Sequence, residues 1–307
     1  MFKVEHKSHQ NPLLNKLLVT NNALHLKSII YPNLGASLQQ LNLNNNAIIN
    51  GISDDENGLE TYKKMFNSAF LFPYPNRVEQ GKYSFNGKNY QLVCNETQLN
   101  NAIHGSVYNK SFTIENIVSS ETKTSILLNY DYNGELEGFP FPYKLSITYI
   151  FEVNKVTINF KILNTGKNSF PFGIGWHPYF NSNNLAESEL NFKGKFQYEL
   201  SEKMIPISKH PFPLKMPFKI NDIALDDCFI STTPKITLAT KNTNLEIKFK
   251  PISSLNYIQI YTPQNRKSIA IEPMTCAPNC FNNKDGLLKL ASNETFNWAI
   301  TLNYDLK

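Results

Sequence analysis

A histidine set among aromatic and glycine residues is the strongest sign of chemistry in this sequence. His177 lies in FGIGWHPYF, residues 172–180, between Trp176 and Pro178. Sugars bind where their C–H faces stack on aromatic rings and their hydroxyls meet polar groups. Partial burial also tunes an imidazole towards proton transfer near neutral pH. The motif predicts either a histidine that moves protons on a sugar or an aromatic core cluster that encloses one histidine.

A second motif ends an apolar run with a carboxylate. Glu272 stands in IAIEPMTCAPN, residues 269–279, after the apolar IAI and before Pro273. A carboxylate at the end of a buried strand costs free energy unless it is paired or functional. Glu272 therefore predicts either a salt bridge to a lysine or arginine, or an acid–base group.

Three further polar candidates stand in loops, which commonly carry function on a rigid β scaffold. Arg77 follows Asn76 and two prolines, and its planar fork of donors suits adjacent hydroxyls or a carboxylate. His104 precedes Gly105, where the backbone can approach a ligand closely. Asp226 is the first of two adjacent acids before an apolar run. Each also fits a structural role, as a solvated turn arginine, a loop histidine or a solvated acid.

Metal chemistry is not indicated. The chain has four cysteines, Cys94, Cys228, Cys276 and Cys280. The last two are four residues apart, but a structural zinc site normally adds two more Cys or His at tight spacing, and none is near. A site built from His104, His177 and a carboxylate lacks HxH or HExxH spacing. We therefore predict reduced, buried thiols, no metal and no cofactor.

The elements that must position these residues are strands. Apolar residues occupy every second position from Leu145 to Val153 and again from Val156 to Ile162. Period two puts them on one face of a strand, and the break at Asn154–Lys155 predicts a hairpin turn in which Asn154 takes a positive φ. Similar runs occur in both halves, with no linker between them. The fold class predicted is all-β, a large antiparallel β-sandwich that forms a single domain over residues 1–307.

Helical signal is sparse. Ser53 followed by Glu56 resembles a capping box and predicts a short helix through Lys64, although Gly58 weakens it.

Charge and hydropathy exclude several partners. Lys and Arg number 30 against 25 Asp and Glu, and Lys63–Lys64 is the longest basic run. Nucleic-acid binding needs clustered positive charge, so nucleic acid is not expected as a partner. The N-terminal segment lacks a signal peptide, and no apolar stretch approaches the ~20 residues that span a bilayer. The sequence predicts a cytoplasmic protein with no membrane partner.

Taken together and in order, these motifs resemble the aldose 1-epimerase (mutarotase) family. The matching elements are NRVEQG at Asn76–Gly81, HG at His104–Gly105, WHPYF at Trp176–Phe180, LDDCF at Leu225–Phe229 and EPMTCAPN at Glu272–Asn279. The EPMT form is more similar to the divergent bacterial branch than to the best-known galactose mutarotases.

The resemblance implies a galactose mutarotase-like supersandwich with a sugar-binding cleft on one sheet. It implies that Glu272 is the general base and His177 the general acid. Arg77, His104 and Asp226 would hold sugar hydroxyls, with Asp226 favoured over its neighbour by its place three residues before the phenylalanine of LDDCF.

Asn76 and Trp176 complete the set of residues expected to bind the sugar. We expect the catalytic pair to face each other across the cleft, with room for one sugar ring between them. Interconversion of the α and β anomers needs two proton transfers and no cofactor, and each transfer can contribute ~10²–10⁴-fold.

Two other functions stay open. A phosphosugar (hexose-6-phosphate) 1-epimerase of related fold would need more cations than Arg77. Lys82, Lys88 and Lys110 are the candidates, but the sequence contains no compact arginine cluster. A non-catalytic sugar-binding or sensor protein would keep the binding residues without needing both Glu272 and His177. The presence of both favours an enzyme.

Overall fold

The computed structural model describes residues 1–182 and 184–307, and most of them lie in antiparallel strands. The first half contains β1 Lys3–Lys7, β2 Lys16–Asn21, β3 Leu26–Tyr31, β4 Ser37–Leu43, β5 Asn46–Asn50, β6 Phe70–Leu71, β7 Arg77–Glu79, β8 Lys82–Phe85, β9 Lys88–Gln91, β10 Asn101–Ile103, β11 Thr113–Ser119, β12 Lys123–Tyr132 and β13 Tyr143–Glu152.

The second half contains β14 Lys155–Asn164, β15 Phe170–Phe172, β16 Gly175–Trp176, β17 Tyr179–Asn181, β18 Glu189–Leu200, β19 Pro206–Pro211, β20 Phe218–Lys219, β21 Asp226–Ala239, β22 Thr243–Phe249, β23 Asn256–Tyr261, β24 Ser268–Met274, β25 Leu288–Leu290 and β26 Thr295–Leu306. The helices are α1 Glu56–Met65 and α2 Cys280–Asn283, with 3₁₀ turns at Pro12–Leu14, Asn22–Leu24 and Leu185–Glu187.

Within the described residues, twenty strands form one hydrogen-bonded sheet, and three further sheets have two strands each. The sheet runs from β11 through β12, β13, β14, β26 and β22 to the long strand β21. The first half of β21 pairs instead with β23, from which pairing continues through β24, β17 and β5 back to β1. The path nearly closes, because the Phe2 N–H donates to the Ser120 carbonyl at 3.1 Å. The predicted large antiparallel fold is confirmed.

The central hairpin shows why the alternating residues form strands. In β13 every second side chain is buried, and Leu145, Ile147 and Tyr149 have no exposed surface. Asn154 takes the predicted positive φ, at 53°. The turn residues are Val153 and Asn154 rather than Asn154 and Lys155, because Glu152 pairs with Lys155 across the turn. Val153 is therefore 54% exposed instead of facing the core.

Helix α1 begins two residues later than predicted. Its N-cap is Asp55, whose carboxylate accepts a hydrogen bond from the Gly58 N–H at 2.8 Å. Ser53 does not cap the helix; its hydroxyl donates to the Asp55 carboxylate at 2.6 Å. The helix ends at Met65 before Phe66, which has a positive φ of 52°. This turn directs Phe66 towards His104, and their ring centroids are 4.7 Å apart.

One hydrophobic cluster draws on residues from Phe2 to Tyr304 and fills the space between the layers of the sheet. Because both ends of the chain contribute, the cluster supports the single domain over residues 1–307, which stays a prediction. Among the described residues, no helix combines the length and apolar character needed to cross a membrane.

Phe160→Ala is expected to lower the free energy of unfolding by about 3–5 kcal/mol, the usual cost of an aromatic-sized cavity. Phe160 is 1% exposed. Its ring packs edge-on against that of Phe70, with centroids 4.9 Å apart, and its centroid lies 5.5 Å from that of Trp298. Urea denaturation measures the change. Val118→Ala, on a side chain that is 59% exposed, is the control and should change stability by less than about 0.5 kcal/mol. Equal effects of the two substitutions would contradict this core assignment.

Candidate active site

A cleft of about 500 Å³ gathers six of the seven residues predicted from the sequence. These six are Asn76, Arg77, His104, His177, Asp226 and Glu272. They come from separate elements, β7, the loop after β10, the link between β16 and β17, β21 and β24. The fold therefore brings together positions that lie far apart in the chain.

Glu272 lies on the floor of the cleft, on strand β24. Its side chain is 2% exposed, and Gln259 is its register partner on β23. Oε2 is buried and has no hydrogen-bond partner among the described residues. Burial raises the pKa of Glu272 well above its ordinary value; the nearby Asp226 adds to this, and Arg77 opposes it. The carboxyl group therefore holds a proton more tightly than an exposed glutamate.

Two backbone hydrogen bonds hold His177 in place beside Glu272. Its N–H donates to the Ala69 carbonyl at 3.0 Å, and its carbonyl accepts from the Ser68 N–H at 2.8 Å. The ring stacks on Tyr179, with centroids 5.1 Å apart and planes at 19°. Burial lowers the pKa of His177 to about 4. Nδ1 is buried and unpartnered among the described residues, so the imidazole is neutral with one ring nitrogen available.

The catalytic candidates lie side by side, which corrects the expected geometry. His177 Nε2 and Glu272 Oε1 are 3.2 Å apart. No sugar ring fits between atoms at hydrogen-bond distance. A ligand that contacts both groups would have to lie over the pair rather than between them.

His104 forms the wall next to His177. It has a φ of 63°, and Gly105 follows with 70°, so the loop needs two consecutive left-handed residues. The His104 ring packs between the rings of Phe66 and His177, with centroid distances of 4.7 Å and 5.2 Å respectively. Its Nδ1 accepts from the Asn76 N–H at 3.3 Å, which leaves Nε2 as the donor. Burial lowers the pKa of His104 well below its ordinary value.

A glutamine that the sequence analysis missed links the binding candidates. The Gln259 amide donates to Asp226 Oδ1 at 2.8 Å, and its carbonyl accepts from Asn76 Nδ2 at 3.3 Å. In the sequence, the only indication was that Gln259 is a polar residue between Ile258 and Ile260. Alternation along β23 puts its side chain on the face opposite to theirs. Its position next to Glu272 depends on strand register.

Asp226, not Asp227, lies in the cleft. Asp226 is open to solvent there, although surrounding protein atoms reduce its hydration enough to raise its pKa. Asp227 points elsewhere and accepts from Gln197 Nε2 at 2.7 Å. The preference for Asp226 in the sequence agrees with this placement.

Arg77 reaches the cleft, but it is already paired with a residue that the sequence analysis missed. Its Nε lies 2.9 Å from Glu96 Oε2, and its Nη2 lies 2.8 Å from Oε1. Nothing in the spacing of the chain indicated this partner, which stands 19 residues away in an irregular loop.

The structure does not bring Trp176 to the cleft, which corrects the expectation that it binds the sugar. Its side chain has no exposed surface and packs in the core against Phe70 and Phe180. The indole N–H donates to the Ser68 carbonyl at 3.2 Å. Trp176 and His177 are consecutive on extended backbone and so point to opposite sides.

None of the four cysteines lines the cleft. Cys228, Cys276 and Cys280 are buried thiols, as predicted, whereas Cys94 is only half-buried. Over residues 1–182 and 184–307, no group of three or more His, Cys, Asp or Glu side chains is arranged to hold a metal ion.

Comparison with known proteins identifies the family. The family model for aldose 1-epimerase matches residues 16–303. This chain belongs to the aldose 1-epimerase family. The matched segment contains every residue of the cleft discussed above, from Asn76 to Glu272.

Relatives in the aldose 1-epimerase family are distant. The uncharacterized protein YihR of Escherichia coli strain K12 is 26% identical over 234 residues, which cover 73% of this chain and 74% of that protein. Galactose mutarotase of Homo sapiens is 24% identical over 166 residues, which cover 52% of this chain and 46% of that one.

Solved structures of the family share the fold. A galactose mutarotase-like protein from Clostridium acetobutylicum superposes with a TM-score of 0.86 at 18% identity, covering 100% of this chain and 99% of that one. Galactose 1-epimerase from Lactobacillus acidophilus NCFM superposes with a TM-score of 0.81 at 16% identity, covering 100% of this chain and 99% of that one. At these identities the likeness establishes the fold alone.

Glu272→Gln is expected to stabilise the protein more at about pH 8 than at about pH 5, by up to ~1.4 kcal/mol for each pH unit in the titration window. The folded state raises the pKa of Glu272 above its ordinary 4.5, so it keeps a proton that the unfolded chain has lost. Raising the pH through this window therefore lowers the stability of the wild type, and glutamine cannot ionise.

Urea denaturation at the two pH values measures the difference between variant and wild type. Glu79→Gln makes the same chemical change on an exposed side chain and should show no comparable pH dependence. If Glu272→Gln changes the free energy of unfolding by the same amount at both pH values, Glu272 is not buried as described.

Proposed function

We propose that this protein is an aldose 1-epimerase that interconverts the α and β anomers of a free aldose without a cofactor. The observation that carries the proposal is the 3.2 Å contact between His177 Nε2 and Glu272 Oε1 on the floor of a sugar-sized cleft. Each partner also has a buried polar atom, Nδ1 or Oε2, without a partner among the described residues. A bound sugar hydroxyl would supply such a partner.

Ring opening in this site is balanced by two proton transfers. Glu272 takes the proton from the C1 hydroxyl while His177 gives one to the ring oxygen, and the bond between C1 and the ring oxygen breaks. The free aldehyde turns about its bond to C2. Closure then presents the other face of C1, with His177 as the base and Glu272 as the acid.

The protonation of the pair suits this exchange. Burial raises the pKa of Glu272 and lowers that of His177, so without a sugar the proton lies on the carboxyl group. Moving that proton along the 3.2 Å contact forms a carboxylate and an imidazolium with no change in net charge. A hemiacetal that donates its C1 hydroxyl to Glu272 and offers its ring oxygen to His177 favours this charged form.

The remaining cleft residues are proposed to hold the other hydroxyls. Asp226 offers a carboxylate oxygen beside the Gln259 amide, and His104 offers its Nε2–H because Nδ1 is an acceptor. Asn76 and Arg77 close the same side of the cleft. Because these groups lie beside the Glu272–His177 pair rather than in it, they orient the ring over the pair.

Glu272→Gln and His177→Asn are each expected to reduce catalysed anomer exchange by about 10²–10⁴-fold while changing sugar affinity little. Both substitutions keep size and hydrogen-bonding capacity but remove the group that exchanges the proton. Asp226→Ala should instead mainly weaken binding. Polarimetry of freshly dissolved pure anomers gives the rate above the buffer control, and calorimetric titration of the same samples gives affinity.

His25→Asn provides a matched control, because His25 is exposed and already has the positive φ that asparagine tolerates. It should behave as the wild type. Near wild-type rates in both Glu272→Gln and His177→Asn would show that the acid–base assignment is wrong. A wild type that binds aldoses but never exceeds the buffer rate would identify a sugar-binding protein instead.

A further inference from the structure

We infer that Glu96 is a specificity-determining residue, which neutralises Arg77 and makes the cleft select uncharged aldoses over sugars that carry a phosphate or carboxylate. The inference deepens the proposed function and rests on it for the identity of the ligand class. Glu96 lies outside the motifs by which the family was recognised, and its role comes from its contacts in this structure.

The pair occupies the part of Arg77 that an anion would use. Nε and Nη2 form one edge of the guanidinium, and both donate to Glu96, at 2.9 Å to Oε2 and 2.8 Å to Oε1. This two-pronged geometry is the one by which arginine binds phosphates and carboxylates. The Arg77 side chain is only 12% exposed and that of Glu96 18%. A substrate anion must displace Glu96 or approach another edge.

Glu96 is held in place independently of Arg77. Its backbone N–H donates to the Asn101 carbonyl at 3.0 Å, and its carbonyl accepts from the Asn101 N–H at 3.2 Å. The Asn101 side chain, which has no exposed surface, also donates to Glu96 Oε2 at 3.1 Å. Asn101 lies on β10, which pairs with β7, the strand of Arg77. Displacing the carboxylate would therefore break contacts on both strands.

The charges around Arg77 also oppose an anion. Among the described residues that line the cleft, Glu96 and Asp226 are carboxylates that accompany one guanidinium, and the neutral Glu272–His177 pair adds no positive charge. Lys63 and Lys64 are the cations at its mouth, but both are exposed, and Lys63 is paired with Glu60 at 2.6 Å. Exposed cations of this kind stabilise a bound charge only weakly. A neutral hydroxyl group can accept from Arg77 and donate to Glu96 without paying for repulsion.

The test compares neutral and anionic sugars of matched stereochemistry. Anomer exchange at equilibrium is measured by exchange NMR for glucose, glucose 6-phosphate and glucuronate, and for galactose with its 6-phosphate and galacturonate. The wild type should favour the neutral sugar of each set by about tenfold or more in kcat/KM. Glu96→Gln should raise the ratio of anionic to neutral activity by about tenfold, since a repulsive charge a few ångströms away is removed.

Two variants control this measurement. Glu79→Gln changes the net charge equally, but its side chain is exposed and does not line the cleft, so the ratio should not change. Glu96→Asp keeps the charge and should keep the rejection of anions. The wild-type comparison does not depend on the folding of any variant.

Calorimetric binding of the same sugars separates this inference from the proposed function. If the protein binds neutral sugars more tightly than anionic ones but catalyses no anomer exchange, the role of Glu96 is supported and the epimerase proposal is refuted. Exchange or binding of a 6-phosphate as good as that of its neutral sugar in the wild type would overturn the inference. An equal ratio of anionic to neutral activity in folded Glu96→Gln and Glu79→Gln would also overturn the inference. A wild type that binds no neutral aldose would overturn both proposals.

Discussion

A buried carboxyl group in contact with a buried imidazole is the constraint on which the other features of the cleft depend. Isolated, either charged form would be costly away from water. In contact, Glu272 and His177 can share one proton, so the pair stays neutral overall as the proton moves. Both backbones therefore have to be held in place, because a small displacement would leave two buried polar groups uncompensated. The same burial disfavours the charged form of each group, raising the pKa of Glu272 and lowering that of His177.

The surrounding structure provides that rigidity through backbone contacts more than through side chains. His177 is held by hydrogen bonds at both its N–H and its carbonyl, to the segment that precedes β6. Glu272 lies within β24, a strand paired on both of its edges. Asn279, in the loop that follows, donates its backbone N–H to the Arg77 carbonyl at 2.7 Å. The segment that follows Glu272 and the strand of Arg77 are therefore joined through the main chain.

Polar contacts join the cleft residues to one another. Gln259 connects Asp226 to Asn76, and Glu96 connects Arg77 to the neighbouring strand. Asp226, Asn76 and Arg77 are thus each oriented by a second side chain, which reduces the ordering that binding of a ligand would require. The arrangement also balances charge, since the Arg77 guanidinium is paired with the Glu96 carboxylate.

The sequence by itself determined the antiparallel β character and the six residues that meet in the cleft, because alternation and short ordered motifs are local properties of the chain. It misplaced Trp176, because a motif of neighbouring residues does not show which side chain faces the core and which faces the cleft. Only the tertiary structure revealed Glu96 and Gln259, whose roles depend on strand register and on a loop with no regular pattern. It also decided that Glu272 and His177 lie side by side, since distances between strands far apart in the chain arise from packing.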